Sequence, residues 1–146
     1  MIQLLLAVAA ATGQRPGPVI VSPAGPIRTI TQALALAPLG GRIVVTAGVY
    51  REPTILVSRP VEISGQPGAV LDGEGRRQLM TITANDVVVR GLVFRNVGAS
   101  FTEDRAAIKA VGARRCVIAD NRIEGGFFGI YLARSRGCRL LRNRLS

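Results

Sequence analysis

The side chains of this sequence that can do acid–base chemistry are carboxylates, because the sequence contains no histidine. It can therefore form neither a Ser/His/Asp nor a Cys/His catalytic pair, nor a metal site that uses imidazole. Polysaccharide lyases and hydrolases need clustered carboxylates, which flank a glycosidic bond or hold Ca²⁺ beside an arginine base. In this sequence the spacing of the carboxylates places no two of them in a repeating pair on one outer face. No catalytic residue is therefore predicted. The candidates considered are Asp72, Glu74, Asp86, Glu103, Asp104, Asp120 and Glu124.

Two short segments concentrate these acidic groups. Glu103 and Asp104 lie in residues 99–105, a lengthened turn that can face a ligand, although an ordinary solvated turn is the commoner reason for such a segment. Residues 72–75 read Asp-Gly-Glu-Gly, a glycine turn. This turn lacks the Lys-Ser/Thr pair that completes a phosphate-binding loop.

Cys116 and Cys138 are the candidates for binding a soft metal ion, together with Met1 and Met80. The two cysteines follow the same alternation as the apolar residues that are expected to face inward. This favours two free thiols packed in a core. If the cysteines stack on neighbouring strands, a disulfide is allowed by distance, although parallel side-chain directions disfavour its dihedral angle. Packed thiols are therefore favoured over a disulfide and over a metal site.

The charge of the chain is strongly positive. Its 146 residues include 19 basic and 9 acidic ones, which gives a net charge of +10. The excess lies mainly beyond residue 105. A basic surface attracts acidic polymers, so an acidic polysaccharide is one expected partner. Nucleic acid is not expected, since arginines on turns and outer faces commonly serve only as solvated groups.

The elements that would position these residues are revealed by an internal repeat. Residues 108–124 superpose on residues 130–146 at an offset of 22 without a gap. Apolar residues also recur in phase, since Ile118 meets Leu140 and Ile123 meets Leu145. The identical pairs are Ile108/Ile130, Arg114/Arg136, Cys116/Cys138, Asn121/Asn143 and Arg122/Arg144.

Earlier segments repeat the pattern as short apolar runs that alternate with a period of two and end in Gly, Pro, Asn or Asp. This is typical of strands. Such runs about 20 residues apart, without helices between them, favour a solenoid in which each coil stacks on the previous one at about 4.8 Å. The predicted structural ladder along its axis consists of Cys116, Cys138, Ile118, Leu140, Asn121, Asn143, Ile123 and Leu145.

The asparagines and phenylalanines of the repeat are predicted to have structural roles. Asn121 and Asn143 tolerate left-handed backbone geometry and can hydrogen-bond to the next coil, so they predict a structural ladder and not a catalytic pair. Tyr131 is predicted to face outward, where it could stack on a sugar ring. Phe127 and Phe128 are predicted to fill a corner of the coil.

One segment predicts a helix. Residues 26–37 carry apolar side chains at helical spacing, Thr29 or Thr31 can start the helix, and Gly40-Gly41 is expected to end it. A short amphipathic helix at this place is expected to cap the N-terminal end of the solenoid. The fold class is therefore all-β, a right-handed parallel β-helix with a short N-terminal capping helix. Because residue 146 falls in the middle of a repeat, the sequence is expected to be truncated at its C-terminus.

Two segments identify a family. "NDVVVRGLVFRNVG" and "CVIADNRIEGGFFGIYLARSRGCRLLRNRLS" resemble the NosD family, and the run N-R-I-E-x-x-x-x-G-I-Y-L at residues 121–132 matches it most closely. The resemblance covers about residues 25–146. It implies an exported, non-enzymatic protein that works with an ABC transporter in maturing the copper site of nitrous oxide reductase. The alternatives are a carbohydrate-active or sugar-binding β-helix and a purely structural or adhesive solenoid segment.

The resemblance also implies copper as a cofactor and protein partners, namely the transporter and the copper enzyme. Cys116 and Cys138 are the weak candidates for holding copper. Residues 1–11 resemble a signal peptide, with a short apolar run followed by Ala9-Ala10-Ala11 as a cleavage site, although no Lys or Arg precedes the run. The run is too short to span a membrane. The expected location is thus periplasmic or secreted, with residues 12–24 as a linker or first strand and 25–146 as the β-helix domain.

Overall fold

The computed structural model describes residues 16–100, 102–126 and 128–146, and in this part of the chain short strands form three parallel sheets. Sheet A contains β1 (Val19–Val21), β2 (Gly41–Val45), β5 (Val61–Gly65), β8 (Val88–Arg90), β11 (Val117–Ala119) and β14 (Arg139–Leu141). Sheet B contains β3 (Gly48–Tyr50), β6 (Ala69–Asp72), β9 (Val93–Arg95), β12 (Arg122–Glu124) and β15 (Arg144–Leu145). Sheet C contains β4 (Ile55–Val57), β7 (Met80–Ile82), β10 (Ala106–Val111) and β13 (Phe128–Ala133).

The chain runs from sheet A to B to C and back to A, and each circuit adds one parallel strand to every sheet. Strands of two to six residues suffice because each is paired with the coils above and below it. The predicted all-β class and right-handed parallel β-helix are confirmed. The segment expected to be a linker or first strand contains β1, and the predicted leader at residues 1–11 lies outside the described residues.

Register between the last coils follows the 22-residue repeat. Ile118 pairs with Leu140, and Ile123 pairs with Leu145. One coil earlier, Val89 pairs with Ile118 and Phe94 pairs with Ile123. Equivalent residues therefore stack along the axis, as the repeat predicts.

The core lies inside the three sheets and consists of stacked aliphatic columns. Ile43, Ile63, Val89 and Ile118 are all fully buried and follow one another along sheet A. Burying one such side chain contributes about 1.5–3 kcal/mol. Leu140 and Leu145 continue the columns but are 46% and 59% exposed, because β14 and β15 each pair with one strand within the described residues.

One close approach between coils requires glycine. Gly91 has a φ of +73°, and a Cβ atom there would lie 2.5 Å from the carbonyl oxygen of Gly65 on the preceding coil. A larger residue would have to separate the two coils at this point, because that contact is with backbone.

Within the described residues one short helix, α1 (Ile30–Leu36), packs over the start of the solenoid and buries Ile30, Ala33 and Leu34. Thr29 caps its N-terminus, accepting from the Gln32 N–H at 3.0 Å. The helix is shorter than predicted: it begins after Thr29 and ends before the glycines. Its end has a physical cause, since Pro38 disfavours a helical backbone at the preceding residue.

Candidate functional site

Carboxylates and arginines converge at the B–C corner, the turns from sheet B to sheet C at residues 51–54, 73–79, 96–100 and 102–105, together with the adjoining ends of sheet B. The Asp72 carboxylate, 4% exposed, accepts hydrogen bonds from the Glu74 backbone N–H at 2.8 Å and from Arg95 Nε at 3.1 Å. A third comes from Asn96 Nδ2 at 3.0 Å. This carboxylate is therefore fixed by three donors from two coils.

Glu74 extends the cluster. Its carboxylate pairs with Arg76 and with Arg77, whose Nη2 lies 2.9 Å away. Arg51 reaches both acids, with Nη2 3.6 Å from Asp72 Oδ2 and Nε 3.8 Å from Glu74 Oε1. This clamp, formed by Asp72 and Glu74 with the arginines that contact them, was not predicted from the sequence. Its signal was the alignment of Asp72 with Arg95, which is hidden because the offset there is 23 and not 22.

Hydrogen bonds from neighbouring groups lower the pKa of both acids and keep them ionised. Burial acts to raise the pKa of Asp72, but the hydrogen bonds from Glu74, Asn96 and Arg95 outweigh it, so the pKa lies below its ordinary value. Hydrogen bonds from Arg77 and Arg76 lower the pKa of Glu74. A general acid needs a raised pKa. Neither group therefore has a proton to give at neutral pH.

Ionised, clamped carboxylates predict a loss of stability in acid. Their pKa values in the folded state lie below those of the unfolded chain, so the unfolded state takes up more protons as the pH falls. We expect the melting temperature to be steady from pH 7 to about pH 5 and to fall progressively below that. Circular dichroism melts across this range measure it.

Two variants assign this acid sensitivity to the clamp. Asp72→Asn should lower the melting temperature at pH 7 and flatten the fall in acid. Asp104→Asn should change neither, because Asp104 has no partner within the described residues. Identical pH curves for wild type and Asp72→Asn would contradict the assignment.

The remaining candidate acids are not brought together. Asp86 pairs with Arg115 at 2.8 Å and Asp120 pairs with Arg142 at 2.7 Å, in each case across neighbouring coils. These arginines lower the pKa of both aspartates. Glu103 pairs with Arg105 within one turn, and Glu124 pairs with Arg122 within one strand.

An open cleft of about 560 Å³ runs along the B–C corner. On its edge, Lys109 lies with its Nζ 5.5 Å from the ring centroid of Tyr131, and the Tyr131 ring meets Phe128 edge to face at 5.7 Å. Tyr131 lies beside Lys109 on the outward face of sheet C, between inward-facing neighbours. Phe127 lies outside the described residues. The residues lining the cleft are Thr54, Arg76, Arg77, Gln78, Thr102, Glu103, Asp104, Arg105 and Lys109.

The two asparagines of the repeat are hydrogen-bonded across coils. Asn121 is 2% exposed, accepts from the Leu92 N–H at 3.1 Å and donates to the Val89 carbonyl at 3.1 Å. It also donates to Asn143 Oδ1 at 3.1 Å. Both amides thus satisfy backbone groups at the bend between sheets A and B, which leaves their side chains occupied by structural contacts.

Cys116 and Cys138 form a disulfide, so the favoured interpretation of two packed thiols is wrong. Their Cα atoms are 4.4 Å apart. Both residues precede their strands and lie at the corner between sheets C and A. The objection from parallel side chains applies to residues within strands, and it does not hold at this corner.

The donor set does not fit a copper site in this state. Both cysteine sulfurs are used in the disulfide, and the sequence has no histidine. Across the described ranges, no group of three or more Cys, Asp or Glu side chains could hold a metal ion. Met80 is fully buried in β7, and Met1 lies outside the described residues.

No helix within the described part of the chain is long and apolar enough to cross a membrane.

Two curated proteins match the sequence, although no family model does. The chain is 35% identical over 106 residues to the probable ABC transporter binding protein NosD of Pseudomonas aeruginosa. It is 29% identical over 100 residues to the protein of the same name from Stutzerimonas stutzeri. These matches cover 72% and 68% of this chain but 24% and 23% of the relatives. The chain thus spans about a quarter of the length of the relatives it matches.

Solved structures show the same fold. Two pectin methylesterase structures, each in complex with a hexasaccharide, superpose with a TM-score of 0.65. They share 20% and 21% identity with this chain, and the match covers 87% of it and 50% of each of them. Likeness at this level concerns the fold alone. The sequence matches and the sheet topology together show that this chain is a right-handed parallel β-helix that is similar in sequence to part of the NosD proteins.

Proposed function

We propose that this chain is an exported, non-enzymatic accessory protein that acts with an ABC transporter in maturing the copper site of nitrous oxide reductase. The observation that carries the proposal is the 35% identity to a protein named as an ABC transporter binding protein NosD, over 106 residues. The role in copper-site maturation comes from the resemblance to the NosD family.

The state of the carboxylates supports a non-enzymatic role. Hydrolysis of a glycosidic bond requires two carboxyl groups that divide the work of acid and of base or nucleophile. The two acids that the fold brings together, Asp72 and Glu74, share Arg51, and hydrogen bonds hold the pKa of each below its ordinary value. We therefore expect no new reducing ends when the chain is incubated with a polysaccharide such as polygalacturonate.

The disulfide supports export. Disulfides form and persist in the periplasm and outside the cell, and they are rare in the reducing cytosol. The bond between Cys116 and Cys138 therefore agrees with the leader expected at residues 1–11. Copper is best treated as cargo of the maturation process and not as a resident cofactor, because the described donors do not form a site for it.

Deleting the gene in its native host tests the proposal. Nitrous oxide reductase purified from the deletion strain should contain little copper and should regain it when the wild-type gene is supplied. The Asp104→Asn gene is the matched control and should restore copper equally well, since Asp104 has no partner within the described residues. Fully copper-loaded reductase from the deletion strain would contradict the proposal.

A sugar-binding role is the second candidate, and the cleft at the B–C corner favours it. The outward ring of Tyr131 offers a flat apolar face, and the nearby ammonium of Lys109 could pair with a sugar carboxylate. If this role holds, the chain should be retarded in gels containing polygalacturonate, and Tyr131→Ala should remove the retardation. Equal mobility with and without the polymer would exclude this role.

A further inference from the structure

Three arginines surround one cavity at the corner where sheet C passes to sheet A. Arg114, Arg134 and Arg136 are exposed and line an open space of about 560 Å³ together with Gly112 and Ser135. Arg114 and Arg136 occupy equivalent places on successive coils, where they form a parallel bridge. Their Cα atoms are therefore separated by about one coil, on the order of 4.8 Å.

None of these three arginines has an acidic partner. All nine carboxylates of the sequence lie within the described residues, and their ion pairs are with other arginines. Arg115, at the same corner, pairs with Asp86, and Arg142, at the corner between sheets A and B, pairs with Asp120 on the adjacent coil. Three positive charges that no acid neutralises therefore surround this cavity, where they raise the local potential.

The backbone that carries the arginines is firmly held. The Arg115 N–H donates to the Arg136 carbonyl at 2.9 Å, and the Arg136 N–H donates to the Ala113 carbonyl at 3.0 Å. Ser135 Oγ accepts from the Ala113 N–H at 3.2 Å and donates to the Ala133 carbonyl at 3.1 Å.

The disulfide adds a covalent lock. Cys116 follows Arg114 by two residues, and Cys138 follows Arg136 by two, so the bridge joins the coils beside the stacked arginines. A site whose backbone is fixed before binding loses less entropy when a ligand arrives.

The guanidinium group matches the geometry of oxyanions, since its planar fork can donate two parallel hydrogen bonds to phosphate or carboxylate. Three guanidinium groups supply more positive charge than one carboxylate can balance. We infer that this corner binds a doubly charged oxyanion, namely a phosphate group, either free or carried as a monoester by a small molecule. This inference is independent of the proposed role in copper-site maturation.

Isothermal titration of the oxidised full chain at low ionic strength tests the site, because salt screens exposed charges. Inorganic phosphate should bind saturably with one site per chain, and sodium acetate should not. Glycerol 3-phosphate is the second phosphate probe: binding as tight as that of inorganic phosphate indicates a site for monoesters, and weaker binding indicates a site for the free ion. No saturable binding of either phosphate probe would overturn the inference.

Matched variants separate the site from the overall charge. Arg114→Gln with Arg136→Gln should weaken phosphate binding at least tenfold. Arg115→Gln with Arg142→Gln removes the same charge from two arginines that are paired with aspartates. This double variant should change the affinity for phosphate less than twofold. An equal loss of phosphate affinity in the two double variants would overturn the inference, because it would show attraction by net charge alone. Circular dichroism melts check that each variant is folded, and Arg114→Lys with Arg136→Lys, which keeps the charge but loses the fork, should bind with intermediate affinity.

Discussion

Replacing both cysteines, Cys116→Ala with Cys138→Ala, should lower the free energy of unfolding by about 3 kcal/mol. The disulfide joins residues 22 positions apart in sequence. A cross-link of this span restricts the unfolded chain, and removing it restores that freedom and favours unfolding. Urea denaturation followed by circular dichroism measures the difference.

Reduction of the wild-type protein provides the control for this expectation. A reductant should shift the urea midpoint of the wild type to that of the double variant and should leave the variant unchanged. Mass spectrometry before reduction should show the wild type two hydrogens lighter than its reduced form. A midpoint that does not respond to reductant would contradict the stabilising role of the disulfide.

Asn121→Leu should destabilise the chain by about 3 kcal/mol, because leaving a buried polar group unpaired costs about 1–3 kcal/mol. The substitution removes the partners of the Leu92 N–H and the Val89 carbonyl. Asn121 is 2% exposed, so water cannot readily take the place of the amide. Thermal or urea denaturation of the purified variant measures the loss.

Asn143→Leu is the matched control, because Asn143 holds the equivalent place one coil later. Its Nδ2 donates to the Ile118 carbonyl at 2.8 Å and its Oδ1 accepts from the N–H and Nδ2 of Asn121 at 3.1 Å each, but Asn143 is only partly buried. Water can therefore satisfy much of what the leucine leaves unpaired, and the expected loss is about 1 kcal/mol. Equal losses at the two positions would contradict the importance of burial at Asn121.

The repeat made much of the fold predictable. Where two coils have turns of equal length, a single offset of 22 fixes the register, as for Ile118 with Leu140. The earlier coils differ in turn length, so the offset is 26 between Ile63 and Val89 and 29 between Val89 and Ile118. Pattern matching still aligned these coils, because the period of two within each strand keeps the apolar residues facing inward.

The candidate sites were less predictable, and the reasons are physical. The clamp around Asp72 draws Arg51 from the preceding coil and Arg95 from the next, at offsets that no single repeat length reveals. Parallel side chains within strands disfavour a disulfide, but the two cysteines lie at a corner, where this restriction does not apply. The group around Arg114 becomes visible only when the ion pairs of all nine acids are known, which requires coordinates.

The central claim is that successive coils lie in parallel register, one on top of the other. Nuclear Overhauser contacts between backbone protons of the isotope-labelled protein test it most directly. We expect contacts in parallel register between strands β11 and β14 and between strands β12 and β15, with Ile118 opposite Leu140 and Ile123 opposite Leu145. An antiparallel pattern through residues 108–145, or the absence of contacts between these strands, would contradict it.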